Sequence, residues 1–214
     1  MGALPKITSP TLEPLRVRLV AMADLPTRFG HFKIASFANQ VDGKDHVALI
    51  KGDVRGARNV RVRMHSECLT GDALGSLRCD CRDQLEAALA EIERCGTGIL
   101  LYLRQEGRGI GIANKIRAYA LQDGGLDTVD ANLALGFRVD ERDYTAAAHM
   151  LRALGVGSIA LLTNNPDKVR QLRRNGIVVA KRLAHQLPSN PHNLAYLKTK
   201  ARRSGHRLRF EEPR

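Results

Sequence analysis

Three of the four cysteines fall between Arg63 and Arg82, at Cys68, Cys79 and Cys81, and any fold open to this chain has to serve them. Residues two apart on extended backbone point the same way, so Cys79 and Cys81 can face one target. The ten residues from Leu69 to Arg78 are ample for a loop that brings Cys68 alongside. Three soft thiolates suit zinc, whereas magnesium and calcium prefer oxygen. A three-ligand zinc keeps a fourth position for water, the reagent of a hydrolase. With His65 as fourth ligand the same ion would be a closed structural staple. Cys-x-Cys is not a standard zinc-ribbon spacing, and buried unpaired thiols are the plain alternative.

At 214 residues and 43% hydrophobic content the chain can bury a sizeable core. Its formal net charge of +12 calls for an anionic partner: a phosphate-bearing metabolite, nucleic acid or a membrane surface. From Lys168 onward 13 Lys/Arg face only Glu211 and Glu212, so +11 of the +12 lies in the last quarter. No apolar run is long enough to span a bilayer, and the first residues lack the charged start and apolar stretch of a signal peptide. Lys6 also breaks the myristoylation pattern. A cytoplasmic location is expected, where clustered cysteines read as ligands and not as disulfides. Cys95, before Gly96, reads as structural.

Patterning gives the organisation. Residues 1–13 read as a flexible arm. Short β-rich runs follow at 16–20, 31–37, 46–51 and 60–65, with turn signals at Pro26, Asp42-Gly43 and Gly56, which suggests a small antiparallel lobe. After Cys81 the period becomes helical through Leu85, Ala88, Leu89 and Ile92, with Gly96 placed to end the helix. A buried strand over 98–103 emerges into Arg104-Gln-Glu-Gly-Arg-Gly-Ile-Gly-Ile-Ala-Asn-Lys115. Such a glycine-rich turn suits phosphate, although it is neither the phosphate-loop nor the dinucleotide fingerprint. The next helix sets Ile112, Ile116, Tyr119 and Ala120 on one face, and residues 127–142 read as irregular. A helix over 145–154, a strand over 158–163, an Asn164-Asn165-Pro166 turn into a helix through Arg174 and a strand over 177–180 then make βαβ units. A short helix with Tyr196 and a basic tail over 209–214 close the chain. The fold class is α/β: a mixed sheet with βαβ units flanked by helices, after an N-terminal antiparallel β-rich part.

Together these residues closely resemble the GTP cyclohydrolase II family from about Leu19 to Leu208. The resemblance rests on His65-Ser-Glu-Cys-Leu-Thr-Gly-Asp72, Leu77-Arg-Cys-Asp-Cys81, Arg104-Gln-Glu-Gly-Arg108, Asn114-Lys-Ile-Arg-Ala-Tyr-Ala-Leu-Gln-Asp123, Asp140-Glu-Arg-Asp143 and Leu162-Thr-Asn-Asn-Pro166. It implies one catalytic domain over 14–208, a homodimer, and zinc-dependent hydrolysis of GTP to a diaminopyrimidinone ribosyl phosphate, formate and pyrophosphate, the first step of riboflavin biosynthesis.

By the same resemblance, Cys68, Cys79 and Cys81 hold a catalytic zinc. Arg63, Met64, His65, Ser66, Glu67, Gln84, Glu106, Gly107, Arg108, Thr128, Thr163 and Lys168 line the GTP site, with magnesium on the triphosphate. Asp140 corresponds to the proton acceptor, Arg142 to the nucleophile toward the α-phosphate, and Tyr119 to the tyrosine needed for full ring opening. Guanidinium is protonated at any working pH, so charge stabilisation is the simpler role for Arg142. Glu106 and Gln84 are expected on the guanine edge, and Arg108 and Lys168 on the phosphates. Arg82 stands where family members commonly have glycine, either altering the turn or adding a phosphate contact. Relatives that stop at the formamidopyrimidine product tend to lack the tyrosine. The competing reading is a structural-zinc protein whose basic tail adheres to nucleic acid by counterion release. No specific nucleic-acid site is expected, since aromatic content is only 4%.

Overall fold

The computed structural model describes residues 16–210. The expected arm over 1–13 lies outside them, as does most of the 209–214 tail. The chain pairs β1 (Val17–Thr27) with β2 (Gly30–Asn39) through a two-residue turn at Arg28-Phe29, then runs through β3 (Val47–Lys51) to β4 (Val60–Ser66). Pro26 lies inside β1, opposite His31, and not at a turn. β1 is a sheet edge, so the missing N–H leaves no ladder bond unmade.

After α1 (Leu69–Asp72) and α2 (Cys81–Cys95) come β5 (Gly98–Leu103), a 3₁₀ turn over Glu106–Gly109, α3 (Gly111–Asp123) and α4 (Thr128–Ala134). Then follow α5 (Thr145–Ala153), β6 (Ile159–Leu162), α6 (Pro166–Arg174), β7 (Val179–Leu183) and α7 (Leu194–Ser204). The strands form one sheet in the order β1-β2-β3-β5-β4-β6-β7. Its first half is antiparallel; β5, β4, β6 and β7 are mutually parallel. The N-terminal β-rich part is therefore half of the common sheet and not a separate lobe.

Two-residue alternation in β5 shows how both faces are sealed. Leu100 points into a cluster with Phe32, Ala88, Leu89 and Ile92 under α2. Ile99, Leu101 and Leu103 point the other way, into a larger cluster that includes Met150 and Leu151 of α5 and Leu172 of α6. Burial of each such side chain contributes about 1.5–3 kcal/mol. Gly96, at φ 69°, ends α2 in the left-handed conformation that a side chain would strain.

Two further expectations fail. The stretch 127–142 is not wholly irregular: Asp127 Oδ1 accepts from Val129 N (2.7 Å) and Asp130 N (2.9 Å) and starts α4, which is too short to show an apolar period. In α3, Ile112 and Ile116 are exposed, while Lys115 and Ala118 are buried. The polar face is the inner one because of what it meets there.

Candidate active site

The carboxyl ends of β4, β5, β6 and β7 share one edge, where the loops after parallel strands diverge to either side and open a crevice. Cys68 follows β4 and precedes α1, and Cys81 is the first residue of α2. The pair Cys79 and Cys81 thus meets its target from a loop running into a helix N-terminus, and not from an extended strand. The three Sγ atoms lie within 4.8 Å of one another. Cys68 and Cys79 sulfurs are 3.7 Å apart, and two thiolates on one tetrahedral zinc, at about 2.3 Å each, would sit about 3.8 Å apart. The donor set fits a soft divalent ion.

His65 does not complete that set. Its Nε2 lies 3.0 Å from both carboxylate oxygens of Asp72, and its ring stacks on Tyr102 at 5.5 Å. Asp72 also accepts from Tyr102 Oη (2.9 Å) and Cys68 N (3.0 Å), so one carboxylate ties β4, β5 and the cysteine loop together. Arg82 donates to the Asp72 carbonyl (3.1 Å) and the Ala73 carbonyl (2.9 Å), closing the end of α1. Of the two roles open to it, Arg82 takes the turn. Gly71 sits against the sulfurs: a Cβ there would come within 2.8 Å of Cys79 Sγ and 3.1 Å of Cys68 Sγ. Gly71→Ala is expected to lower bound metal by about tenfold at limiting zinc, by analogy with lost ligand support. Full stoichiometry by elemental analysis would contradict this.

Lys115 reaches from α3 to Cys68 Sγ (3.1 Å) and Glu106 Oε1 (2.8 Å). Burial pushes its pKa down, but the Glu106 hydrogen bond and the Cys68 charge outweigh burial, and the net shift is upward. Hydrogen bonds from Cys79 and Cys81, and then Lys115, push the Cys68 thiol down. The hydrogen bond with Cys68, then burial and the Cys68 charge, raise Cys79 to about 11. Glu106 is fully engaged, since its oxygens also accept from Leu69 N (2.6 Å) and Gly107 N (2.7 Å). The turn that holds it needs left-handed backbone at Gly107 and at Arg108, φ 62° and 59°.

Two adjoining recesses open here. One, of about 700 Å³, is lined by the three cysteines, Glu67, Glu106, Gly107, Lys115, Tyr119 and Thr128. The other, of about 750 Å³, is lined by Arg63, His65, Gln84, Asp140, Thr163 and Lys168. Ser66, Cys81, Arg108, Arg142 and Tyr196 line both. Gln84 and Glu106 therefore line different recesses; Gln84 is held by Arg63 (2.5 Å) and Asp80 (2.5 Å). Met64 is buried under the site, its carbonyl accepting from Lys168 Nζ (2.7 Å). Tyr119 Oη lies 3.4 Å from Thr70 Oγ1, with the Arg78 guanidinium 4.8 Å from its ring.

The second recess is strongly cationic. Burial lowers Arg63 to about 10. Burial, together with Arg63 and Arg142, pushes Lys168 well down. Arg142 grips Asp140 through Nε (2.8 Å) and Nη2 (2.5 Å). Burial raises the Asp140 carboxyl, yet the Arg142 bonds win and its pKa is lowered.

His185, buried behind this recess, donates Nε2 to the Gln84 carbonyl at 2.8 Å. Burial, then Arg63, pushes its pKa down to about 4. The unfolded chain takes that proton near pH 6.5, so the stability due to the neutral ring is complete above that pH. It is lost as pH falls toward 4, by up to about 3 kcal/mol. His206, pushed down to about 3, acts with the same sign. Urea midpoints of the protein should therefore fall between pH 6.5 and 4.5, and His185→Gln should flatten that slope; equal slopes would contradict the assignment.

The expected residues are thus gathered at one edge, distributed over two recesses. Sequence reasoning missed Gln105, His185, Tyr196, Lys200 and His206, all of which line them or stand directly behind, and read Lys115 only as support for a phosphate turn. Lys115 lay within a quoted motif, but its inward turn was masked by the neighbouring isoleucines.

The family model for GTP cyclohydrolase II matches residues 18–184. A GTP cyclohydrolase-2 of Proteus mirabilis is 56% identical over 194 residues, covering 91% of this chain and 98% of its own. That of Pseudomonas paraeruginosa is 57% identical over 194 residues, covering 91% and 95%. That of Aeromonas hydrophila is 57% identical over 190 residues, covering 89% and 96%. A solved structure, RibBX, a two domain 3,4-dihydroxy-2-butanone 4-phosphate synthase from A. baumannii, aligns at TM-score 0.37 and 20% identity. It covers 71% of this chain and 35% of that one, a likeness too slight to bear on the site.

Proposed function

Because this chain belongs to the GTP cyclohydrolase II family, we propose that it opens the imidazole ring of GTP. The products would be 2,5-diamino-6-ribosylamino-4(3H)-pyrimidinone 5′-phosphate, formate and pyrophosphate, at the head of riboflavin biosynthesis. The observation that carries this reading is a three-thiol cluster lining a recess directly joined to a cationic one. Cys68, Cys79 and Cys81 would hold zinc, which supplies Lewis acidity and an activated water when bound.

The chain's own groups do the rest. Arg63, Arg108 and Lys168 receive the triphosphate and its magnesium, with Thr163 beside them. A Lys168 whose charge is disfavoured by Arg63 and Arg142 regains it when a polyanion enters. Arg142, locked to Asp140, stays protonated, which favours charge stabilisation at the α-phosphate over nucleophilic attack. Asp140 stays ionised and is able to accept a proton. Tyr119, beside the cysteines, supports carrying the reaction through to formate. Glu106 and Lys115 hold the cysteine loop, leaving Thr128 and the backbone of Gly107 and Arg108 to meet the base.

A homodimer is part of this reading, supported by the exposed Ile112 and Ile116 of α3. So is a cytoplasmic location, supported by four free cysteines. No helix among the described residues is long and apolar enough to cross a membrane. The test is to incubate zinc-replete protein with GTP and magnesium and follow both small products. Equal formate and pyrophosphate are expected. Pyrophosphate without formate would mean arrest at the formamide, and neither would overturn the reading.

A further inference from the structure

The basic C-terminal stretch has no role in the reading above, yet it folds back onto the site. Arg207 N donates to the Asn164 carbonyl at 2.9 Å, in the loop after β6. Arg203 of α7 pairs with Asp127 (2.9 Å) and Asp130 (2.8 Å), either side of Thr128. From the same helix Lys200 reaches inward, with its side chain only 12% exposed. Its Nζ lies 3.2 Å from Asp80 Oδ1 and 4.3 Å from the centre of the Tyr196 ring. Asp80 stands between two of the cysteines, and Lys200 lines the cationic recess.

We propose that Lys200 is a substrate-binding residue, delivered by α7 to the phosphates of the nucleoside triphosphate. This rests on the proposed function and extends it to a residue 120 positions from the cysteine loop. An ammonium carries three N–H donors. Among the described residues this one has a single hydrogen-bond acceptor, Asp80, and the face of Tyr196. Donors therefore remain for a ligand in the recess. The charge balance agrees: Arg63, Arg108, Arg142 and Lys200 face Asp80 and Asp140, and Lys168 joins them as a fifth cation once a polyanion restores its charge. Both carboxylates are already paired, so a net charge of about +2 awaits a polyanion, rising to about +3 as Lys168 is recharged. A surface tail meant for nucleic acid would keep such a lysine outside.

The rival explanation is that Lys200 only ties Asp80, and through it the cysteine loop. Lys200→Gln separates the two, because the amide still donates to Asp80 but carries no charge. Calorimetric titration of zinc-replete protein with inorganic pyrophosphate, and GTP kinetics in magnesium, are the readouts. Lys200→Gln should weaken pyrophosphate binding about tenfold and raise KM for GTP similarly. Its kcat should stay within about threefold and its zinc stoichiometry unchanged, and Lys200→Arg should recover most of the affinity. Wild-type binding in Lys200→Gln, or loss of zinc in step with loss of binding, would overturn the inference alone. Wild-type protein that neither binds pyrophosphate nor turns over GTP would overturn both it and the function it rests on.

Discussion

Stripping the metal with a chelator, or replacing Cys68 by serine, is expected to lower formate release by at least about a thousandfold while the fold persists. The sheet does not depend on the cysteines. Its two apolar clusters lie beneath and above the strands, whereas the sulfurs sit beyond the strand ends. Far-ultraviolet circular dichroism and a cooperative urea transition should survive, with loosening confined to α1 and the loop up to α2. Zinc restores activity to the chelated protein but not to Cys68→Ser. Global unfolding on chelation would instead identify a structural staple. That outcome is disfavoured by the ligand count: among the described residues the metal-capable group contains three thiols and no fourth protein donor.

The features legible in sequence were those set by local pattern. The β-to-helical change of period at Cys81, the glycine that ends α2 and the asparagine that starts α6 all act within a few residues of themselves. Asn165 shows this directly, its side chain accepting from Asp167 N at 2.8 Å. What stayed hidden was set by tertiary contact. Pro26 reads as a breaker unless the strand is known to be an edge. Lys115 reads as solvated unless Glu106 and Cys68 are known to lie opposite. Arg82 reads equally as a turn residue or a phosphate contact until the Asp72 and Ala73 carbonyls are known to be within its reach. Lys200 and Asp80 meet across 120 residues, a distance over which no periodicity speaks. The site was legible as a set of motifs, while its division into a thiol recess and a phosphate recess was not.

Asp72→Ala is expected to cost about 3–5 kcal/mol of stability, the largest loss from any single change at the site. Asp72 is buried at the meeting point of three elements and serves three donors: His65 Nε2, Tyr102 Oη and Cys68 N. Alanine leaves all three without their acceptor, and each orphaned buried donor costs about 1–3 kcal/mol. Water entering the vacated space recovers part of this, which keeps the total below the upper sum. Asp72→Asn preserves volume and one acceptor oxygen, but its amide must turn an N–H toward one of the donors. An intermediate loss of about 2 kcal/mol is expected. Urea unfolding at constant m-value measures both. The deficit should persist in chelated protein, because the carboxylate holds β4, β5 and the loop together whether or not an ion is bound. A deficit that vanishes on chelation would place the action of Asp72 on the metal instead. A loss below about 1 kcal/mol would mean that its three bonds are readily replaced by solvent.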